Sequence, residues 1–154
     1  MPDLDDIDRR VLDVIQAAFP LCRSPYAELG RRVGLSAEAA MARVQSLRER
    51  GLIRRIGGVV NSRELGLVGT LVGMKVPPDR IDAVAAVVNA VPNVTHNYLR
   101  EDDYDMWFTI TAASRDDVTA ILADIREKTG IEDVLDLPSL RTFKINVHLG
   151  FGAT

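Results

Sequence analysis

Apolar side chains recur at Leu4, Ile7, Val11, Leu12, Val14, Ile15 and Ala18. That spacing is close to the helical repeat and predicts a first helix over 4–18 with one buried face. Asp3, Asp5 and Asp6 stand at its start, where the helix dipole favours negative charge, and Phe19-Pro20 closes it. Pro25 begins a second helix through Ala27, Leu29 and Val33, and Gly34 ends it. Ser36 followed by Ala37-Glu38-Ala39 has the form of an N-cap with an acid in the first turn, opening a third helix through Ala40, Val44 and Leu47 to Gly51. The period then changes, and 52–60 is expected to form two short strands about Gly57-Gly58, a turn signal. Three short helices closed by a hairpin describe a winged helix-turn-helix, assigned to residues 1–61.

Asn61 to Gly66 is the junction. Beyond it, 67–76 is rich in Val and Leu and reads as a strand ended by Pro77-Pro78. Ile81, Val84, Ala85, Val88 and Val91 fall at helical spacing until Pro92-Asn93 breaks them. A β-hairpin over 94–110 follows. Ser114 caps another helix, with Asp116 and Asp117 in its first turn, Val118, Ile121, Leu122 and Ile125 inward, and Gly130 at its end. A fourth strand is expected over 131–137. The order β-α-β-β-α-β is ferredoxin-like, two helices covering one face of a four-stranded sheet. The expected class is therefore α+β, with residues 62–154 as the second domain. The uncovered sheet face calls for a partner chain.

The hairpin concentrates polar and aromatic side chains that a plain packing strand does not need. Glu101-Asp102-Asp103 is its turn material, and loop length decides which side chains share a face. An even loop pairs Glu101 with Tyr104, Leu99 with Met106 and Tyr98 with Trp107. Leu99, Met106, Phe108 and Ile110 then form a core layer, while His96, Tyr98, Arg100, Asp105, Trp107 and Thr109 share the opposite face. An odd loop mixes Arg100 into the apolar layer, at a cost of several kcal/mol for burying an unpaired charge. The even register is the expectation. Its polar face suits a flat, anionic ligand: guanidinium for carboxylates, indole for stacking, imidazole and phenol for protons or a metal. The bland alternative is an exposed Arg100–Asp105 salt bridge beside a structural histidine and an interface tryptophan.

A last strand is expected over 141–151, with Phe143, Ile145, Val147, Leu149 and Phe151 on one face and Thr142, Lys144, Asn146, His148 and Gly150 on the other. Its functional reading brings Lys144 and His148 near His96, adding positive charge for an anionic ligand; its bland reading leaves Lys144 in solvent. A single cysteine, Cys22, excludes an intramolecular disulfide framework and fits a reducing cytoplasm. The acidic N-terminus lacks the pattern of a secretory leader, and no stretch reaches the ~20 apolar residues of a membrane span.

The helix-turn-helix raises the question of DNA. Major-groove reading needs donors near the N-terminus of the third helix, yet Ser36, Ala37, Glu38, Ala39, Ala40 and Met41 occupy it. Arg43, Gln45, Arg48 and Arg50 lie further along. Residues 1–60 carry a charge of +2 and the remainder −5, for −3 overall. That is no strong footprint for nucleic acid, so the module is expected to be structural or dimer-forming, with DNA binding disfavoured.

A winged helix-turn-helix joined to a βαββαβ domain resembles the Lrp/AsnC regulators, whose second domain dimerises and binds small effectors. The residues His96-Asn97-Tyr98-Leu99-Arg100, then Tyr104-Asp105-Met106-Trp107-Phe108, with Leu137-Pro138 leading to Phe143-Lys144-Ile145, more specifically resemble the siroheme decarboxylases, enzymes of that ancestry. The resemblance implies a carboxy-lyase subunit of heme biosynthesis that removes carbon dioxide from two acetate side chains of siroheme to give didecarboxysiroheme. It also implies a homo-oligomer, or a hetero-oligomer with a related decarboxylase subunit. Arg100 and Lys144 would then hold ring carboxylates, with Trp107 as a stacking wall and His148 nearby. The proton that replaces carbon dioxide would come from His96 or Tyr98. Alternatively His96 would ligate the substrate iron, leaving Tyr98 or His148 as donor. No cofactor beyond the iron tetrapyrrole itself is expected. The competing expectations are an Lrp/AsnC-type transcriptional regulator and a non-catalytic tetrapyrrole-binding subunit.

Overall fold

The structure, a computed structural model, describes residues 3–145 and 149–151. Contacts divide the chain into two compact units: residues up to Gly58 together with those from Lys144 onward, and Val59–Phe143.

In the first unit, α1 (Asp6–Ala18), α2 (Pro25–Val33) and α3 (Ala37–Glu49) form where the periodicity places them. Asp5 caps α1 by accepting from the Asp8 amide at 2.7 Å, and Ser36 caps α3 by accepting from the Ala39 amide at 3.2 Å. Gly34 ends α2 at φ 78, a left-handed cap that favours glycine. Val11, Leu12, Leu29, Val33, Ala40, Val44, Leu47 and Ile53 make the core.

Two expectations fail here. Residues 52–60 carry no strand, so the wing is an irregular segment. Ile53 joins the core, but Val59 and Val60 are exposed, and an isolated two-stranded ribbon is marginal in water. The strand expected over 141–151 is likewise not formed among the described residues. Side chains of α1 satisfy its backbone instead. Gln16 Nε2 donates to the Leu149 carbonyl and the Leu149 amide donates to Gln16 Oε1, both at 3.0 Å. Arg9 donates to the Phe151 carbonyl at 3.1 Å, and the Phe151 amide donates to Asp13 at 3.4 Å. Backbone groups paired in this way have no need of a ladder. By contacts, the residues from Lys144 onward group with the helices, whereas the second domain is expected to run to residue 154.

The second unit holds β1 (Val68–Met74), α4 (Ile81–Asn89, entered through a 3₁₀ turn at Pro78–Arg80), β2 (Val94–Leu99), β3 (Met106–Ala112), α5 (Arg115–Thr129) and β4 (Val134–Pro138). The antiparallel strand order is β2-β3-β1-β4, the ferredoxin-like arrangement. Val72, Met74, Met106, Phe108, Ile110 and Ala112 lie on the helix-covered side with Val84, Val88, Val118, Leu122 and Ile125. Alternation sends Leu71, Gly73, Trp107, Thr109 and Leu137 to the opposite side, where Leu71 and Leu137 are exposed.

Candidate functional site

The hairpin adopts the even register. Leu99 pairs with Met106 and Tyr98 with Trp107, and the Arg100 amide donates to the Asp105 carbonyl at 2.7 Å. The ladder stops there, so Glu101 and Tyr104, expected to pair, lie in the turn. Leu99 was expected in the core layer but is exposed, because it sits at the free end of an edge strand. Asp105 also departs from expectation. It makes no ion pair with Arg100; its carboxylate accepts from the Val76 amide at 3.0 Å and ties the loop to the end of β1.

The open side of β2 and β3 carries four of the expected groups together. The His96 and Tyr98 rings stack at 6.1 Å with planes 23° apart. One strand over, Trp107 lies with its Nε1 donating to the Tyr104 carbonyl at 2.5 Å. The Arg100 guanidinium carbon is 6.0 Å from the indole centroid, and among the described residues it joins no carboxylate. A free cation beside a fixed aromatic plane can hold a carboxylate bidentately while a flat ring lies on the indole.

Two residues that the sequence reading passed over shape this face. Gly73 lies under the indole, and a Cβ there would stand 3.1 Å from the ring. The signal was available: a glycine inside a strand marks a close approach. Thr95 is turned onto the open side by a β-bulge between Val94 and His96, which periodicity alone does not reveal. Behind the indole, the Tyr104 hydroxyl donates to Asp133 at 2.7 Å. That hydrogen bond, with lesser help from burial and nearby acids, raises the Tyr104 pKa above the usual phenol value and keeps it protonated.

The two remaining expected residues, Lys144 and His148, are not part of the described sheet face. Lys144 groups with the helical unit by contacts, and no strand carries it among the described residues. His148 lies outside the described residues. A cleft of about 560 Å³ beside the hairpin loop is lined by Asp102, Asp103, Asp105, Glu132 and Asp133 with Lys75, the wrong sign for a polycarboxylate. Among the described residues no group of three or more His, Cys, Asp or Glu is placed to hold a metal ion, and no helix is long and apolar enough to cross a membrane.

In the helical unit, four arginines are engaged internally. Arg43 bonds Asp5 at 2.8 Å and Asp8 at 3.1 Å, Arg50 bonds Asp8 at 3.2 Å, and Arg31 and Arg32 both bond Glu28 at 2.8 Å.

Helix-turn-helix followed by an open-faced ferredoxin-like sheet defines a two-part chain of the AsnC type. A family model described as an AsnC-like ligand binding domain matches residues 64–144, and one described as a siroheme decarboxylase NirDL-like HTH domain matches residues 8–54. The chain is similar in fold to Escherichia coli AsnC, with a TM-score of 0.82 at 23% identity over 95% of this chain and 98% of that one. It is 50% identical over 147 residues to the siroheme decarboxylase alpha subunit of Desulfovibrio desulfuricans, covering 96% of this chain and 84% of the relative. The crystal structure of the siroheme decarboxylase NirDL in co-complex with an iron-uroporphyrin III analogue matches with a TM-score of 0.67 at 30% identity, over 94% of this chain and 48% of that chain. The chain belongs to the family of siroheme decarboxylase subunits.

Proposed function

We propose that this chain is a subunit of a carbon–carbon lyase that removes carbon dioxide from two acetate side chains of siroheme, giving 12,18-didecarboxysiroheme in heme formation. The observation that carries the reading is the gathering of His96, Tyr98, Arg100 and Trp107 on one open sheet face. Arg100 holds a ring carboxylate, and Trp107 supports the macrocycle. At the reacting acetate the bond from the methylene carbon to its carboxylate breaks, and carbon dioxide leaves without the electron pair. The macrocycle takes up that pair, and His96 delivers a proton to the carbon, which becomes a methyl group. An imidazole suits this step because it changes charge near neutral pH. Tyr98, stacked on the ring, is the second donor. No cofactor besides the substrate's own iron enters the step. The reading draws nothing from Lys144 or His148.

The assembly in this reading contains more than one such unit. The relative is named an alpha subunit, and NirDL is about twice as long as the stretch this chain matches. Reading of DNA by α3 is disfavoured, since Arg43 and Arg50 are neutralised by Asp5 and Asp8. A cytoplasmic location agrees with one free cysteine.

The test is anaerobic incubation of siroheme with the purified chain, alone and with its related subunit, followed by mass spectrometry. Loss of one carbon dioxide per acetate is expected. Siroheme recovered intact with both chains present would refute the proposal. A tetrapyrrole absorption spectrum without turnover would identify a binding subunit instead.

A further inference from the structure

A regular β2 strand would send Val94, His96 and Tyr98 to one side and Thr95, Asn97 and Leu99 to the other. The bulge breaks this alternation: Val94 pairs with Ile110 and packs against the helix-covered core, while His96 pairs with Thr109. Thr95 is thereby freed to join His96 on the open side. Its Oγ1 lies 3.0 Å from His96 Nδ1 and 2.7 Å from Thr109 Oγ1, and Thr109 Oγ1 is 3.5 Å from the same Nδ1. A hydroxyl both donates and accepts, so this chain satisfies Nδ1 whether or not it carries hydrogen. Nε2 has no protein partner among the described residues.

We infer that Thr95, placed by the bulge, is the positioning residue of the proton donor: it engages Nδ1, holds the imidazole plane, and leaves Nε2 as the atom that delivers the proton. This rests on His96 being the acid in the proposed decarboxylation. In the imidazolium, Nδ1–H donates to Thr95 Oγ1 while the Thr95 hydrogen turns to Thr109. When Nε2–H breaks, its electron pair stays on Nε2 and its proton goes to the methylene carbon. The Nδ1–H to Thr95 bond survives the transfer, so the ring needs no reorientation during the step.

The test uses the full chain with its related subunit. Thr95→Val keeps the shape and β-branching and removes the hydroxyl; Thr95→Ser restores it. The chain has two histidines, so the ring ¹⁵N signals of His96 are assigned by comparison with His148→Gln. The wild-type Nδ1 signal should carry the displacement of a hydrogen-bonded nitrogen, and Thr95→Val should remove that displacement. In Thr95→Val, kcat should fall about ten- to a hundredfold, as displacement of a reacting group does, with siroheme affinity unchanged; Thr95→Ser should recover most of kcat. Ring shifts identical in wild type and Thr95→Val would overturn the inference whatever happens to turnover, as would a fall in kcat that serine does not rescue. Shifts that move while Thr95→Val and His96→Ala both turn over normally would support the hydroxyl's hold on the ring and overturn the assignment of His96 as acid.

Discussion

Two sets of arginines, one in each unit, are used in opposite ways. In the helical unit Asp8, almost fully buried, receives Arg43 and Arg50, and Glu28 receives Arg31 and Arg32. On the sheet, Arg100 stands over an indole and forms no ion pair among the described residues, next to a stacked imidazole and phenol. A guanidinium already matched to a carboxylate has little left for a ligand, because a new partner must first displace the old one. An unmatched guanidinium over an aromatic wall binds the next carboxylate it meets. A helix-turn-helix architecture therefore says less about function than the bonding of its arginines does.

The comparison is broken most directly at His96. His96→Ala should retain siroheme binding and lose roughly 10²–10⁴-fold in turnover, the contribution of a positioned acid; single-turnover kinetics beside spectral titration would show it, and loss of both activities would indicate iron ligation. Arg100→Ala should weaken siroheme binding by about ten- to a hundredfold, the worth of a charge-assisted hydrogen bond, as read by titration. Asp8→Asn should cost about 1–3 kcal/mol in chemical denaturation by leaving two guanidinium groups short of a partner, with the sheet face unaffected. Gly73→Ala should tilt the indole and weaken siroheme binding about two- to tenfold, within the range of an aromatic contact. Trp107 is the single tryptophan, so its fluorescence reports the tilt directly.

The smallest effect is expected at Glu28. Hydrogen bonds from Arg31 and then Arg32 lower its pKa from the ordinary 4.5 to about 2. A folded value below the unfolded one stabilises the helices fully above about pH 4.5, and that stabilisation fades as pH falls toward 2. Acid titration of helicity in wild type and Glu28→Gln should differ only in that window. Because the pairs lie at the surface, added salt should shrink the difference.

Local chemistry along the chain determined most of the architecture. Capping residues such as Ser36 and Ser114, terminators such as Gly34 and Gly130, and apolar positions at helical spacing act within a few residues of themselves, so they can be read without coordinates. The parity of the hairpin loop was legible for the same reason: only one register keeps Arg100 out of the layer formed by Met106, Phe108 and Ile110. Other features depended on what lay across from a segment in space. Phe143 to Phe151 alternates like a strand, but the side chains of Gln16, Arg9 and Asp13 satisfy its terminal backbone groups. Residues 52–60 have hairpin chemistry, but beyond Ile53 their apolar side chains Val59 and Val60 stay exposed. Asp105 faces the Val76 amide rather than Arg100, and Thr95 reaches His96 only because Val94 is drawn into the core. Sequence alone determined the helices, the four sheet strands and the side of the hairpin that carries chemistry. Tertiary structure decided which backbone groups found partners and where a bulge turned a hydroxyl toward an imidazole, because those choices belong to residues far apart along the chain.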